Sequence, residues 1–317
     1  CIGGAIAEAL LWRRNQGLDV SVVVTGRRPH LLARRYAGTG AQIVAWDLAS
    51  VHGLSSLDVG LPPTMAVHAA SPASPRDYLA RPVDTLASNV YGISACAAML
   101  MAEAGTAGRL LYISSGEIYG SPGDGDIPTP ESYLAPHDHL QPRACYTEAK
   151  RHGESLCLAW HRQHGLQAVI SRPIHIYGPG LRPDDGRVVC DFVSSASHGR
   201  AITMLSDGSP RRAFCYLSDA TRAHLLLLSR GRGGEAYNVG REDPEVSIRE
   251  LAEVVRGAIA EVPVSFGAAS HTKGSPHRSC PSMAKLNREF GYAPMVDLPE
   301  GLRRLSCAFR EGRYDRE

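Results

Sequence analysis

The chain has 317 residues, of which 44% are hydrophobic and 21% are charged, and its formal net charge is +2. This length fits one large domain or two closely joined ones, and the composition is that of ordinary globular proteins. The small net charge gives no reason to expect a polyanionic partner such as a nucleic acid, and we expect none. We find neither an uninterrupted apolar span of membrane length nor a signal peptide, so the sequence predicts a cytoplasmic protein without a membrane partner.

The eight cysteines of the chain are scattered, and no two of them have C-x-x-C spacing. A structural zinc site or a redox-active pair normally shows such closely spaced cysteines. Because cytosolic disulfides are rare, we expect free thiols in a reducing compartment and no bound metal.

Short apolar runs alternate with helical patterns through the first half of the chain. The runs that read as strands are Val20–Val24, Ile43–Trp46, Met65–Ala69, Arg109–Ser114 and Ala168–Ser171. The helical patterns lie near residues 4–16, 84–105 and 144–164. Nearly continuous apolar strands that alternate with helices are typical of an α/β fold with a doubly wound parallel sheet. Ligands of such sheets bind at the carboxyl ends of the strands, where we therefore expect the functional residues.

The first helical pattern follows almost directly on Cys1, and Gly3 and Gly4 stand at its start. A helix N-terminus that contains glycine is an anion-binding site, and the pyrophosphate of a dinucleotide would bind here. Nothing before this helix reads as a strand. We therefore expect that a first strand and most of a turn are absent from the sequence.

The amino-acid composition of the chain changes after about residue 172. Proline and glycine become frequent, as in Tyr177–Pro183, and loops separate the helices. We predict a dinucleotide-binding domain over residues 1–171 and a smaller α/β substrate-binding lobe over 172–212 and 232–317. Residues 213–231 are predicted to return and pack on the first domain.

The pair Tyr146 and Lys150 is the strongest local signal for chemistry. Residues four apart in a helix lie on one face, about one turn from each other. The positive charge of the lysine can lower the pKa of the tyrosine. A tyrosinate can then take the proton of a substrate alcohol while a hydride leaves for a nicotinamide.

A second hydroxyl supports this prediction, because Ser115 directly follows the apolar run Arg109–Ser114. It is therefore expected at the carboxyl end of a strand, where its hydroxyl can bind the reacting oxygen. Together with the Tyr146 and Lys150 pair further along the chain, it predicts a catalytic site rather than an ordinary turn.

These residues occur in an order that resembles the extended short-chain dehydrogenase/reductases of the NAD-dependent epimerase/dehydratase family. Ser115, Tyr146 and Lys150 match the catalytic residues of that family. The other matching segments are Cys1–Leu10, Asp47-Leu48, His68–Ala70, Arg172–Pro179 and Asn238–Gly240. The resemblance covers nearly the whole chain. It implies a Rossmann-like domain, a bound NAD or NADP, a nucleotide-sugar substrate and a homodimer.

The resemblance also implies a set of cofactor contacts. They are Gly3, Thr25, Arg27, Arg28, Asp47, Leu48, Ala69, Asn89, Tyr146 and Lys150. Relatives that use NAD carry an acidic residue at the end of the second strand, where it binds the ribose hydroxyls. This chain has Arg27 and Arg28 there instead. Two arginines suit the 2′-phosphate of NADP, so NADP is favoured over NAD.

Within the family, the chain is most similar to the UDP-glucuronate decarboxylases. The segments that carry this similarity are Ala70–Pro75, Arg143–Arg151, Asp185–Val189 and Arg212–Phe214. Glu117, two places after the catalytic serine, is typical of the decarboxylases and dehydratases. The similarity implies that Tyr146 helps to oxidise C4 of the sugar, which makes a C5 carboxylate a β-keto acid that readily loses carbon dioxide. Glu117 would position or protonate the sugar.

Substrate contacts implied by the same similarity are Ser71, His175, Arg187, Val188, Arg212 and Arg278. The arginines are candidates for the diphosphate, because guanidinium groups match phosphate oxygens bidentately. His175 stands where the family usually has asparagine, and we interpret it as a hydrogen-bonding substitute rather than a new acid or base. Gly116 replaces a small polar residue, and Arg278 is shifted by one position from the family pattern.

Two other functions remain open from the sequence. One is an NADP-dependent 4-ketoreductase, epimerase or dehydratase that acts on a nucleotide sugar, which the basic residues Arg27 and Arg28 favour. The other is a non-catalytic protein that binds the cofactor on the same frame. The presence of Ser115, Tyr146 and Lys150 together argues against the second, because binding alone does not need all three.

Overall fold

The computed structural model of the chain describes residues 1–49, 60, 62–136, 138–266 and 276–313. The helices of these residues are α1 (Ile2–Asn15), α2 (Pro29–Arg35), α3 (Pro75–Ala80), α4 (Pro82–Ala104), α5 (Ala144–His164), α6 (Val188–Ser197), α7 (Leu217–Arg230), α8 (Ile248–Ala258), α9 (Ala284–Phe290) and α10 (Leu298–Arg310). The strands are β1 (Val23–Gly26), β2 (Gln42–Ala45), β3 (Met65–His68), β4 (Arg109–Ile113), β5 (Gln167–Pro173), β6 (Ile176–Tyr177), β7 (Ile202–Met204), β8 (Arg211–Ala213), β9 (Cys215–Tyr216), β10 (Ala236–Val239), β11 (Glu245–Ser247), β12 (Val264–Phe266) and β13 (Arg278–Ser279).

The centre of the fold is a four-stranded parallel sheet in the order β10-β5-β4-β3. Alternate residues of a strand point to opposite faces, and both faces of this sheet are apolar. Leu110 and Tyr112 pack with α4 and α5 on one face, whereas Leu111 and Ile113 pack with α7 on the other. A parallel sheet with both faces covered by helices confirms the predicted α/β, Rossmann-like doubly wound fold.

Strands β1 and β2 form a separate two-stranded parallel sheet. An apolar cluster that includes Ala7, Leu11, Val22 and Tyr36 holds this sheet against α1. Helix α1 also packs against α7, which ties the sheet to the rest of the domain.

Helix α4 is longer and more apolar than we expected from the sequence, in which we saw no apolar span of membrane length. The segment Pro82–Ala107 is long and apolar enough to cross a membrane by length and composition alone, although half of its most apolar window is buried inside the protein. The buried residues pack against α5, β3 and β4. A helix that lies in the core of a sheet protein needs the same apolar character, so this feature has a structural cause.

The smaller lobe is built around α6, α8 and α10. Val193, Leu251 and Leu302 are fully buried where these helices meet. Helix α8 begins with a capping box, in which the Ser247 side chain and the Glu250 side chain each accept a hydrogen bond from the other residue's backbone. Among the described residues, the lobe also contains the short sheets β11-β8-β13 and β12-β7, and β6 pairs with β9.

The predicted boundaries of the lobe need one correction. Strand β10, within the range 232–317, pairs with β5 and extends the central sheet. Helix α9 packs against β10, and its Leu286 lies in the apolar cluster under that sheet. The strand is only four residues long and follows a glycine-rich turn, so the sequence did not separate it from the lobe. Helix α7, within the range 213–231, does pack on the central sheet.

Candidate active site

Helix α5 brings the two predicted catalytic side chains together. Tyr146 and Lys150 lie one turn apart, and Lys150 Nζ is 5.7 Å from the centroid of the Tyr146 ring. Only 5% of Tyr146 and 3% of Lys150 is exposed to solvent. The helix packs on α4, β4 and β5, so both side chains lie at the carboxyl end of the central sheet.

The ammonium group of Lys150 is held from two sides. It donates hydrogen bonds to Asn89 Oδ1 at 3.1 Å and to the backbone carbonyl of Ile113 at 2.8 Å. Tyr112 donates a further hydrogen bond to Asn89 Oδ1 at 2.8 Å. Burial lowers the pKa of Lys150 to about 7, and the negative charge of Glu154 opposes this fall. Asn89, predicted from the resemblance as a cofactor contact, therefore contacts the catalytic lysine in this structure.

Tyr146 differs from the sequence-based prediction in what controls its pKa. Burial raises the pKa of Tyr146 to about 12, and the carboxylate of Glu117 adds to the rise. A hydrogen bond with Ser115 and the positive charge of Arg187 oppose it. The sequence predicted that Lys150 would lower this pKa, whereas the Lys150 ammonium is engaged by Asn89 and β4.

Ser115 and Glu117 follow the end of β4, as the sequence predicted. Ser115 begins a short 3-10 turn over Gly116–Tyr119, where its hydroxyl accepts a hydrogen bond from the Glu117 backbone at 3.2 Å. The Glu117 carboxylate lies 3.6 Å from Arg143 Nη2. Arg143 directly precedes α5 and was not predicted as a site residue, although a basic residue just before the tyrosine helix was a visible signal.

Gly116 has a packing reason for its small size. A Cβ atom at this position would lie 2.1 Å from Cγ1 of Ile174, far inside van der Waals contact. Ile174 is buried in a small apolar cluster with Ile118 and Tyr119. The glycine therefore lets the turn that carries Ser115 approach the segment after β5.

A buried ion pair lies one helical turn beyond Lys150. Arg172 binds Glu154 bidentately, with Nε to Oε1 at 3.0 Å and Nη2 to Oε2 at 2.7 Å. Ser114 donates to Glu154 Oε1 at 2.6 Å, and Arg172 also donates to the Tyr119 hydroxyl at 2.9 Å. The sequence analysis missed Glu154, although its spacing from Lys150 repeats that of Lys150 from Tyr146.

A cavity of about 330 Å³ lies next to Asn89, which donates a hydrogen bond to the cavity-lining Ser71 at 2.9 Å. It is lined by the carboxyl ends of β1, β2 and β3, by Cys1 at the start of α1, and by residues 180–187. The predicted contacts that line it are Thr25, Arg27, Asp47, Leu48, Ala69, Ser71 and Arg187. Lining residues that the sequence did not single out include Trp46, Arg76 and Ser88.

The start of α1 fits a dinucleotide phosphate group. A Cβ atom on Gly3 would lie 3.0 Å from the Cβ of Ala69, so a larger residue would crowd the approach of the helix to the end of β3. The backbone N–H groups of a helix N-terminus favour an anion there. The residues present therefore fit the cofactor that the sequence predicted.

Other predicted contacts lie around this cavity rather than on its wall. Arg28 stands at the N-terminus of α2, directly after the lining residue Arg27. Val188 is the first residue of α6, next to Arg187. Tyr146 and Lys150 are buried and do not line the cavity.

His175 has a left-handed backbone with a φ of 46°, a conformation that asparagine and histidine tolerate better than most residues. Burial lowers the pKa of His175 to about 3, and the charges of Arg212 and Arg187 add to the fall. A neutral imidazole at neutral pH fits a hydrogen-bonding side chain better than a general acid. Arg212 is itself held by the backbone carbonyls of Arg211, Pro276 and His277.

Arg278 is placed differently from its predicted role as a diphosphate contact. Its guanidinium binds Glu245 bidentately at 3.1 and 2.7 Å and Asp124 at 3.0 Å. These carboxylates occupy the fork that a phosphate would use. Arg278 lies on β13, and this pairing ties the lobe to the loop after Ser115. The ion-pair partners are distant in sequence, so no local pattern revealed them.

Comparison with known proteins identifies the family of this chain. Residues 1–240 match the model of the NAD dependent epimerase/dehydratase family. The chain belongs to this family. The match confirms the resemblance drawn from the sequence, and its segment contains Ser115, Tyr146 and Lys150.

Individual relatives agree with the family. The chain is 36% identical to UDP-glucuronic acid decarboxylase 3 of Arabidopsis thaliana over 243 residues, which is 77% of this chain and 69% of that protein. A UDP-glucose 4-epimerase of Thermus thermophilus, solved with NAD, superposes with a TM-score of 0.78 at 28% identity over 98% of this chain and 96% of that one. The protein called RMD from Pseudomonas aeruginosa, solved with NADPH, gives 0.74 at 25% identity over 92% and 98%.

Across the described ranges, no group of three or more His, Cys, Asp and Glu side chains is arranged to hold a metal ion. All eight cysteines are free thiols. The predicted site of this epimerase/dehydratase family member contains hydroxyl, ammonium, carboxylate and guanidinium groups.

The close approach of Gly116 to Ile174 predicts the effect of placing a larger, polar residue at position 116. Gly116→Ser is expected to lower the free energy of unfolding by about 1–3 kcal/mol, because the new side chain overlaps Ile174 and displaces the turn. Urea unfolding measures this change. Gly125→Ser is the matched control, since no atom lies within 4 Å of a Cβ at Gly125. A stability of G116S equal to that of the G125S control would contradict the packing argument.

Proposed function

We propose that this chain modifies a nucleotide sugar through transient oxidation at C4, and that it acts as a UDP-glucuronate decarboxylase. The observation that carries the proposal is the cluster of Ser115, Tyr146, Lys150 and Glu117, which hydrogen bonds from Lys150 to Asn89 and from Asn89 to Ser71 connect to the wall of a cavity suited to a dinucleotide. The likeness to the plant decarboxylase supports the choice of reaction.

The cofactor supplies reversible hydride exchange when it is bound in the cavity. Gly3 and Ala69 would hold its phosphates, and Asp47 and Leu48 would hold its adenine end. Thr25, Arg27 and Arg28 lie at or directly after the end of β1, where the adenosine ribose would bind. These assignments come from the family resemblance, and the positions of Thr25, Arg27, Asp47, Leu48 and Ala69 on the cavity wall support them.

Tyr146 is the group that moves the proton. Its hydroxyl is hydrogen-bonded to Ser115, and both can reach one substrate oxygen. Tyr146 accepts the proton of the C4 hydroxyl and later returns it, while Ser115 holds the oxygen in place. Because the pKa of Tyr146 is about 12 in this structure, its hydroxyl holds its proton at neutral pH. A further positive charge or a contact with the substrate has to lower this pKa before Tyr146 can accept a proton.

A C4 carbonyl determines the next bond to break. It makes the C5 carboxylate a β-keto acid, so the bond between C5 and the carboxyl carbon can break with its electrons delocalised onto the C4 oxygen. Carbon dioxide leaves, and C5 then takes a proton. Glu117 and Arg143, which form an ion pair, are the charged groups that we assign to this step.

The choice between NADP and NAD belongs to the same proposal. Arg27 and Arg28 are exposed after β1, and neither is accompanied by an acidic residue in the sequence Thr25-Gly-Arg-Arg28. Two guanidinium groups there support binding of the 2′-phosphate of NADP. Because a net 4-ketoreductase uses NADPH, it is the second candidate function.

We also propose that the protein is a cytoplasmic homodimer. Leu79, Val83 and Leu86 are exposed along α3 and the first turns of α4, and Val83 is 74% exposed. A second copy of the chain would bury this apolar surface. The free thiols are compatible with a reducing compartment.

Replacement of the tyrosine tests the catalytic proposal. Tyr146→Phe is expected to reduce turnover of UDP-glucuronate by roughly 10²- to 10⁴-fold, because the proton acceptor is lost. Release of carbon dioxide from carboxyl-labelled substrate measures the rate, and Tyr91→Phe on α4 is the control. Undiminished turnover in Y146F would exclude the assigned role, and an inactive wild-type protein would exclude the substrate.

The ion pair below Lys150 predicts a change in pH dependence. Glu154 raises the pKa of Lys150 against the effect of burial, so Glu154→Gln lowers that pKa further. Lys150 then loses its proton at lower pH, and the alkaline limb of kcat/KM moves to lower pH. Glu148→Gln, an exposed change on the same helix, is the control. An alkaline limb at the same pH in E154Q and wild type would contradict this role.

The two arginines after β1 predict the cofactor preference. Replacing both Arg27 and Arg28 with alanine is expected to weaken NADPH binding roughly tenfold or more, because the 2′-phosphate loses charge-assisted hydrogen bonds. NADH binding should change little. Calorimetric titration measures both, with Arg34→Ala on α2 as the control. Equal losses for NADH and NADPH would show that these arginines do not read the 2′-phosphate.

A further inference from the structure

An ion pair crosses the opening of the cavity, between helix α3 and the smaller lobe. Arg76 on α3 donates a hydrogen bond from Nη1 to Oδ2 of Asp184 at 3.2 Å. The Arg76 side chain lines the cavity and is also 54% exposed to solvent. A side chain that both lines a cavity and faces solvent stands at its opening, so this ion pair joins the two sides of the opening.

The Asp184 carboxylate belongs to a short turn of the lobe. Arg182 binds it bidentately, with Nε to Oδ1 at 2.9 Å and Nη2 to Oδ2 at 2.8 Å. The backbone N–H of Asp185 closes the turn on the Arg182 carbonyl at 3.2 Å. Hydrogen bonds from Arg182 lower the pKa of Asp184, and the hydrogen bond from Arg76 lowers it further. The carboxylate is therefore charged at neutral pH.

A second contact crosses the cavity beside the ion pair. Arg187, which follows the same turn, donates from Nη2 to the backbone carbonyl of Ala73 at 3.4 Å, and its Nε lies 3.0 Å from Oδ2 of Asp185. Arg182, Asp185 and Arg187 line the cavity from the side of the lobe. The turn is therefore tied to the opposite wall at two points, Arg76 and Ala73.

The two sides of the opening differ in how firmly they are held. Helix α3 is anchored in the interior, because the buried Tyr78 ring stacks on the Tyr146 ring with their centroids 4.9 Å apart. Residues 182–187 form neither helix nor strand, and the Asp184 side chain is 57% exposed. Exposed loops open at a lower cost in free energy than packed helices. Opening of the cavity therefore means that the turn moves away from α3.

The proposed reaction makes closure of this opening useful. The hydride that leaves C4 has to return to the same sugar, so the site must keep the reduced cofactor until carbon dioxide has left. Early loss of the reduced cofactor would leave a 4-keto sugar without a hydride donor. Contacts across the opening slow such a loss, because they must break before a molecule of dinucleotide size can leave.

We propose that Arg76, Asp184 and Arg182 form an ionic latch across the cavity, and that the latch retains the reduced cofactor between the two hydride transfers. This inference rests on the proposed function, which supplies the second transfer. The latch itself determines how long a dinucleotide stays bound. Because the Arg76 and Asp184 side chains are both more than half exposed, we expect an effect of moderate size.

The first test measures how fast NADPH leaves the protein. The complex is mixed with excess NADP, and the change in NADPH fluorescence gives the dissociation rate; NADH, displaced by NAD, is measured in parallel. Asp184→Asn is expected to raise the rate roughly two- to fivefold, the range that an exposed ion pair allows. Glu253→Gln on α8 is the matched control, because it breaks an ion pair of the lobe at an acid that is also 57% exposed. Equal rates in D184N and E253Q would overturn the latch.

A double variant tests whether Arg76 and Asp184 act as one pair. Arg76→Gln should raise the rate no more than D184N does, and the double variant should match D184N, because both changes break the same contact. Increases that multiply in the double variant would overturn the latch. Added NaCl should accelerate dissociation more in the wild type than in D184N, since salt screens an exposed ion pair. An equal response to salt would contradict the proposal.

The second test measures unfinished product. Oxidation at C4 transfers one hydride to one cofactor, so each reduced cofactor that leaves early releases one 4-keto sugar. With UDP-glucuronate as substrate, D184N is expected to release roughly two- to fivefold more 4-keto sugar per UDP-pentose than the wild type, in step with its faster dissociation. NMR of the products measures this ratio. An unchanged ratio would overturn the role of the latch between the two transfers.

The two proposals can fail separately. A wild-type enzyme that converts UDP-glucuronate, with the same dissociation rates in D184N, would overturn the latch and leave the proposed function standing. A wild-type protein that binds NADPH but does not convert UDP-glucuronate would overturn the proposed function, and faster dissociation in D184N would then show a latch without the role between the transfers. A wild-type protein that binds neither dinucleotide would overturn both.

Discussion

The site depends on keeping the ammonium group of Lys150 buried. A buried charge is costly unless hydrogen bonds and an opposite charge compensate it. Asn89 from α4 and the Ile113 carbonyl from β4 provide the hydrogen bonds, and Glu154 provides the charge. These partners lie on three elements, so the compensation fixes α4, α5 and β4 relative to one another. Tyr146, one turn before Lys150, is placed by the same contacts.

The predicted cofactor-binding residues and the predicted catalytic residues lie in different parts of the structure. The cavity at the ends of β1, β2 and β3 offers a glycine approach at Gly3 and polar groups along its wall, which suits a dinucleotide. Tyr146 does not line this cavity and is shielded from bulk water. Helix α3 touches both, because Ser74 lines the cavity and Tyr78 stacks on Tyr146. Such an arrangement brings the sugar and the cofactor together at the carboxyl edge of the sheet.

The sequence predicted what depends on local patterns and on family resemblance. The strands, the long helices and the pairing of Tyr146 with Lys150 follow from short-range periodicity, and the structure contains them. Contacts between distant segments were missed, because no pattern in either segment indicates its partner. Arg278 pairs with Glu245 and Asp124 rather than projecting toward a phosphate, and Tyr78 carried no signal at all.

The central claim is that the hydrogen removed from C4 of the sugar is returned to C4 of the same sugar. Conversion of UDP-glucuronate labelled with deuterium at C4 tests it directly, with the product followed by NMR. The account predicts a UDP-pentose that retains deuterium at C4 and carries a solvent hydrogen at C5, together with one carbon dioxide per product. Loss of the C4 deuterium, or consumption of one reduced cofactor per product, would contradict it.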